Sequence, residues 1–187
     1  MSEQKTFQRY NIERRLEHWL LVVSFALLGI TGLIQKYPMN DVSLWVIHQF
    51  GGIELTRIIH RVSAFIFGLE SIYHFGLAGY KLFVLKEKAS MLPEIKDALD
   101  GIQTLAYNLG LRKETPRMGR YNFIEKLEYW AMLWGLLVMG VTGFIMWNPI
   151  ASTKIFPGQF IPAAKAAHGG EAVLAVLAII VWHFYNV

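Results

Sequence analysis

Four apolar stretches decide what this chain can fold into. They cover roughly residues 16–34, 58–82, 123–147 and 163–187. Each is long enough to cross a hydrocarbon layer ~30 Å thick, which takes about 20 helical residues at 1.5 Å per residue. Hydrophobic residues make up 54% of the 187 positions and charged residues only 17%, too little charge for a soluble domain of this size. Mean hydropathy is +0.35. A soluble bundle burying four such helices would need a much larger partner shell. The expectation is an all-α membrane protein.

The distribution of Lys and Arg sets the expected orientation. Lys5, Arg9, Arg14 and Arg15 precede the first stretch, and Lys81, Lys86, Lys88, Lys96, Arg112, Lys113, Arg117 and Arg120 lie in the central connection. The other two connections carry only Lys36, Arg57, Lys154 and Lys165. Both termini and the central loop are therefore expected on the cytoplasmic side, with His48 in a periplasmic loop as an ordinary hydrogen-bonded histidine. The net charge of +4 is this bias and not a nucleic-acid footprint. The polar first 15 residues do not read as a signal peptide. With no cysteine, disulfides, thiolate metal sites and thioether haem attachment are excluded for this chain.

The chain is duplicated. Residues 9–38, "RYNIERRLEHWLLVVSFALLGITGLIQKYP", return at an offset of 111 as "RYNFIEKLEYWAMLWGLLVMGVTGFIMWNP". The second and fourth stretches each open with a histidine and close on aromatic–His–Phe. The expected architecture is thus a four-transmembrane-helix bundle built from two tandem hairpins, forming a single membrane domain over 1–187. Parallel repeats of this kind place sites at the repeat interface. Between them, Ser90 is expected to cap an amphipathic helix over roughly 91–109, with Pro93 in its first turn. Its apolar stripe is Leu92, Ile95, Leu99, Ile102, Leu105 and Leu109, suited to the membrane surface or to a partner subunit.

Histidines carry the chemistry. His60 and His74 are 14 residues apart, and His168 and His183 are 15 apart. Four helical turns take about 14.4 residues, so each pair lies near one face, ~21 Å apart along its axis. A zinc or copper centre needs ligands at one depth. Histidines at two depths fit two haems, each held by two imidazoles. One haem has a single candidate pair, His60 with His168. The other has three candidates, His18, His74 and His183, for two positions; repeat symmetry selects His74 with His183. His18 is replaced by Tyr129 in the second copy. Glycines 29, 32, 140 and 143 stand at matching positions, for helix packing or for room beside a macrocycle. Glu70 is expected to be buried at mid-helix. Arg57 and Arg61 flank His60 as candidate propionate contacts or as interface anchors.

As a set, "RLEHW", "TRIIHR", "RYNFIEKLEYW" and "AAHGG…WHFY" resemble the di-haem cytochrome b membrane subunits of formate dehydrogenases, nickel–iron hydrogenases and thiosulfate reductases. The resemblance spans all four helices. It implies two haem b, with ligand pairs His18–His183 and His60–His168, leaving His74 as the alternative to His18. The His60–His74 spacing departs from that pattern and is similar to the paired-ligand helices of the cytochrome b in quinol:cytochrome c reductases. The resemblance also implies a quinone site at Asn122, with Tyr121 and Glu125 beside it, although Asn122 and Glu125 equally form an N-x-x-E capping box. It implies an electron-transfer subunit of an oxidoreductase complex in a prokaryotic inner membrane. Membrane lipid, quinone and an iron–sulfur or multihaem partner are the expected contacts, with no nucleic acid.

Two other functions stay open on residues alone. One is a haem-free anchor or proton- or ion-conducting bundle; the other is a stand-alone haem b oxidoreductase. The chain stops four residues after His183, which points to a longer polypeptide or to a partner over that end.

Overall fold

The computed structural model describes residues 12–186, which form helices, turns and connections with no strand among them. Lys5, Arg9 and the Arg9-Tyr10-Asn11 opening of the first repeat lie outside the described residues. The chain divides into two compact units, one ending at Gly79 and the other beginning at Tyr80. Among the described residues, four helices are long and apolar enough to span a membrane: Ile12–Lys36, Ile53–Val84, Phe123–Trp147 and Phe160–His183.

The first unit is a hairpin of α1 (Ile12–Lys36) and α3 (Ile53–Gly79), joined through the short α2 (Asp41–Gln49). Within α1 the charged Glu13, Arg14 and Arg15, which precede the apolar stretch, are exposed. Asn40 caps α2 by accepting from the Val42 N–H at 3.0 Å. α2 stops at a glycine pair. Gly51 (φ +80°) donates to His48 O and Gly52 (φ +106°) to Ile47 O, the paired bonds of a Schellman ending that needs left-handed backbone.

The α1–α3 seam is lined by small hydroxyl residues. Ser24, Thr31, Thr56 and Ser63 are all buried. Ser24 bonds back to Leu20 O at 2.8 Å and Thr56 to Gly52 O at 2.9 Å, so their polar atoms are satisfied within their own helix while the backbones approach. Large side chains such as Trp19, Val23, Phe65 and Leu69 face outward, as expected where lipid is the solvent.

The second unit repeats the plan with α5 (Phe123–Trp147) and α7 (Phe160–Leu177), joined through the four-residue α6 (Pro149–Ser152). α7 runs on into a π-helical turn, Ala178–His183, and ends in the short α8 (Phe184–Asn186). The π turn reconciles the two histidine spacings. A single inserted residue is taken up by i→i+5 bonding, so residues beyond it keep the face they would hold with one residue fewer. His183, 15 residues past His168, therefore returns to the face that a 14-residue spacing gives His74. A second π turn, Tyr80–Val84, follows His74 and leaves the His60–His74 relation untouched.

The amphipathic segment forms α4 (Ile95–Asn108), shorter at its start than the sequence suggests. Ser90 does not cap it. Pro93 disfavours helical backbone at Leu92, and the Glu94 N–H is instead satisfied by Asp97 Oδ2 at 2.6 Å. Its far end is another Schellman ending at Gly110 (φ +73°), with Leu111 N–H on Ala106 O. α4 turns its polar face to α5. Lys126 Nζ reaches Asp97 Oδ2 at 2.8 Å, with the two side chains only 9% and 17% exposed. A Cβ on Gly101 would sit 3.5 Å from the Phe123 ring, and the Trp130 indole N–H donates to Met91 O at 2.9 Å. Ile95, Leu99, Ile102, Leu105 and Leu109 form the outer stripe, each more than half exposed.

Candidate functional site

In each hairpin one histidine lies near the connected end, and its surroundings repeat. In the first unit His60, in the second turn of α3, places Nδ1 2.8 Å from Thr31 Oγ1 on α1. In the second unit His168 on α7 places Nδ1 2.9 Å from Thr142 Oγ1 on α5. Beside each threonine is a glycine. A Cβ on Gly32 would lie 3.3 Å from His60 Cε1, and one on Gly143 would lie 3.3 Å from His168 Cε1. Such distances are tighter than ordinary carbon contacts, so the ring's position depends on glycine there. Gly140 meets nothing within 4 Å.

The hydroxyl proton of each threonine is already committed. Thr31 Oγ1 donates to Leu27 O at 2.5 Å, and Thr142 Oγ1 to Val138 O at 2.5 Å. The oxygen can then only accept from the imidazole, which makes Nδ1 the protonated nitrogen and Nε2 the basic one. Neutral imidazole with a basic Nε2 is the form that ligates metal, and a hydrogen-bonded second nitrogen is the usual partner of a ligating ring. The residues fit a haem iron.

The open ends of the hairpins differ. On unit 1 they carry His18 on α1 and His74 on α3, both exposed, with the His74 ring edge-on to Phe75 at 5.7 Å. On unit 2 His183 lies in the π turn, its Nδ1 3.6 Å from Glu128 Oε2 on α5. The other oxygen, Glu128 Oε1, is buried with no hydrogen-bond partner. Tyr129, the counterpart of His18, is half-buried next to Trp130. Glu128 repeats Glu17, which in unit 1 lines a shallow cavity with Glu13, Glu70 and Tyr73. Glu70 is half-buried with Oε2 unpartnered.

Arg57 is held by Glu54 at 2.5 Å, one turn back on α3, and its side chain is half exposed; Arg61 is exposed. At the start of α5, Asn122 Oδ1 accepts from the Glu125 N–H at 2.8 Å while Glu125 Oε2 accepts from the Asn122 N–H at 2.8 Å. The capping box is real, and it fixes both side chains. Tyr121, with the Arg120 guanidinium 5.5 Å from its ring centre, lines a polar groove of about 330 Å³ with Lys96, Asp97, Arg117 and Lys126. Sequence reasoning did not single out Thr31, Thr142 or Glu128. The signal was present: all three recur at the offset of 111.

Apolar hairpins that each hold an imidazole with a basic nitrogen are suited to ligating a metal within a membrane. Residues 100–187 match the family model of prokaryotic cytochrome b561. The nitrate-inducible formate dehydrogenase cytochrome b556(Fdn) subunit of Escherichia coli K12 is 25% identical over 185 residues, covering 99% of this chain and 79% of the relative. The formate dehydrogenase cytochrome b556(fdo) subunit of the same strain is 25% identical over 188 residues, covering 99% and 80%. The formate dehydrogenase cytochrome b556 subunit of Haemophilus influenzae is 24% identical over 177 residues, covering 95% and 68%. The chain is thus similar to cytochrome b membrane subunits, a likeness that supports a multi-pass electron-transfer protein and implies haem b.

Proposed function

We propose that the chain is a di-haem subunit of a prokaryotic inner-membrane oxidoreductase complex, carrying electrons between a redox partner and the quinone pool. The observation that carries this reading is the repeated imidazole site, one per hairpin, with Nδ1 held and Nε2 basic. His60 and His168 ligate one haem, and His18 and His183 the other, with His74 as the alternative to His18. Haem b, when bound, supplies one-electron transfer between its ferric and ferrous states. The chain's own part is to hold the four imidazoles, to keep the path dry inside apolar helices, and to tune the ligands through their hydrogen bonds. Arg57 and Arg61 flank His60 and are assigned to neutralise propionates there.

Quinone exchange is assigned to the start of α5, where Asn122 and Tyr121 offer polar atoms and Glu125 a carboxylate for the accompanying protons. Both termini and α4 face the cytoplasm, with α4 at the membrane surface, and the two units form one cytochrome domain over 1–187. The partner is an iron–sulfur or multihaem subunit of the same complex.

Pyridine haemochrome analysis with protein quantitation tests this. Two haem b per wild-type chain are expected, falling to one in His18→Ala and remaining two in His74→Ala. Loss in His74→Ala alone would transfer the ligand role to His74. No haem in the wild type would overturn the electron-transfer reading.

A further inference from the structure

We propose that the groove between α4 and the start of α5 binds an anionic phospholipid, with the phosphate held by Arg117 and Arg120 and the acyl chains laid over the outer stripe of α4. The proposal rests on the reading of α4 as lying at the membrane surface.

The contacts between the two helices run in opposite order along them. Gly101 meets Phe123, Asp97 meets Lys126 at 2.8 Å, and Met91, in the approach to α4, accepts from the Trp130 indole at 2.9 Å. Phe123 to Trp130 covers about 10 Å of α5 at 1.5 Å per residue. α4 and its approach therefore lie alongside the first two turns of a helix apolar enough to span the membrane, not across its end. A helix in the membrane plane sinks its apolar face by ~5–10 Å, to the boundary between headgroups and acyl chains. The depths agree. On the side of α4 away from α5, Ile95, Leu99, Ile102 and Leu105 are each more than half exposed.

Beside that stripe the groove, about 330 Å³, holds four basic side chains against three acidic ones. Asp97 has Lys126. Asp100 has Lys96, whose Nζ lies 2.6 Å from Oδ2 and also donates to Arg117 O at 2.9 Å. That second bond ties the connection ahead of α5 to the first turn of α4 and brings Arg117 to the groove. Glu94, the third acid, is exposed. Arg117 and Arg120 are exposed too, and among the described residues neither pairs with a carboxylate. The Arg120 guanidinium lies 5.5 Å from the centre of the Tyr121 ring. Guanidinium forks match phosphate oxygens two at a time. A choline headgroup would add a further cation to a groove already in excess of them, so the complementary lipid is anionic. Ile95 and Lys96 are neighbours in one turn, which puts the apolar and the basic surface side by side for a single molecule.

The test uses the full chain, in the complex it purifies with, in detergent. Native mass spectrometry reads binding of dioleoylphosphatidylglycerol, dioleoylphosphatidylcholine and soluble glycerol phosphate. The wild type should favour phosphatidylglycerol over both. Arg117→Gln and Arg120→Gln should each weaken it about fivefold, and the pair together about thirtyfold. Arg112→Gln with Lys113→Gln, which removes the same charge from outside the groove, should leave affinity unchanged. Leu99→Ser with Ile102→Ser should weaken the lipid and not glycerol phosphate, with amide exchange over residues 95–108 checking that α4 persists. Equal weakening by the Arg112 and Lys113 pair would overturn the proposal. So would lipid binding that appears only after other subunits are stripped away, since a protein then covers the groove. If the serine variants weaken the lipid and the arginine variants do not, the proposal falls while α4 keeps its place at the membrane. If glycerol phosphate binds as tightly as the lipid and the serine variants change nothing, the reading of α4 falls with it.

Discussion

Lys126→Met should release α4 from the start of α5. Lys126 and Asp97 lie 2.8 Å apart with side chains 9% and 17% exposed, so salt and water screen the pair weakly. At an effective dielectric constant of ~20 the attraction is about 6 kcal/mol, much of it offset by desolvation of both ions. Removing Lys126 leaves Asp97 its bond from the Glu94 N–H and the nearby Lys96, so the cost falls at the low end of a broken buried pair, about 3 kcal/mol. The Trp130–Met91 hydrogen bond and the Phe123–Gly101 contact remain. Taking about 3 kcal/mol as the loss, at 1.36 kcal/mol per decade the opening equilibrium rises by about two powers of ten. Amide hydrogen exchange over residues 95–108 reads this directly in detergent-solubilised protein. Adding Asp97→Asn to Lys126→Met should recover part of the protection, because no unpaired ion is then left. Exchange in α4 that is unchanged by Lys126→Met would refute the claim that this pair holds the helix.

The pH dependence follows with a fixed sign. The hydrogen bond from Lys126, then that from the Glu94 N–H, holds the Asp97 carboxyl below its ordinary value. A carboxyl lowered on folding stabilises fully above its unfolded value of about 3.9, and that contribution is lost as pH falls through the folded value. α4 should therefore stay protected at pH 5 and loosen only below about pH 4. Two further outcomes are expected. Asn122→Ser keeps a capping side chain where Asn122→Ala costs about 1 kcal/mol of α5 stability, so thermal melting should separate the two while quinol oxidation falls in both if the amide contacts quinone. Deleting Ile179 should turn the π turn into α-helix and leave His183 on its face, preserving the visible spectrum; loss of one haem from that deletion would show that the turn does more than absorb a residue.

Helix number, topology and the histidine ladder were legible because they depend on apolar length and on the 3.6-residue period, which composition and spacing display. Helix starts were less so. Ser90 and Pro93 looked like a helix opening, but the Glu94–Asp97 pair wins by satisfying the backbone N–H two residues past the turn. The inward direction of the α4 polar face was hidden as well, since an apolar stripe normally marks the packed side and only the tertiary pairing with Lys126 reverses it. The seams show how a repeat diverges without losing its fold. Ser24 and Ser63 are both buried in the first hairpin; the equivalent positions in the second are Gly135 and Glu171, whose Oε1 lies 2.9 Å from where a Gly135 Cβ would be. A larger side chain on one helix is matched by a missing one on the other. Single-sequence reading sees two unrelated substitutions there.

The same contrast bears on why one copy has His18 and the other Tyr129. At the connected ends the repeats agree atom for atom in kind: threonine, glycine and imidazole in both. At the open ends they part. The π turn makes His183 the true counterpart of His74, since it cancels the extra residue between His168 and His183. Symmetry thus argues for His74, and likeness to cytochrome b subunits argues for His18. The carboxylates differ between the copies. Glu128 stands 3.6 Å from His183 Nδ1, and its counterpart Glu17 lines a cavity with Glu70. The open end is also where Tyr121, Asn122 and Glu125 begin α5. Under the proposed function, divergence gathered there suits exchange of electrons and protons with quinone, while a connected end that passes only electrons can stay symmetric. On that argument His18→Ala removes one haem and His74→Ala removes none.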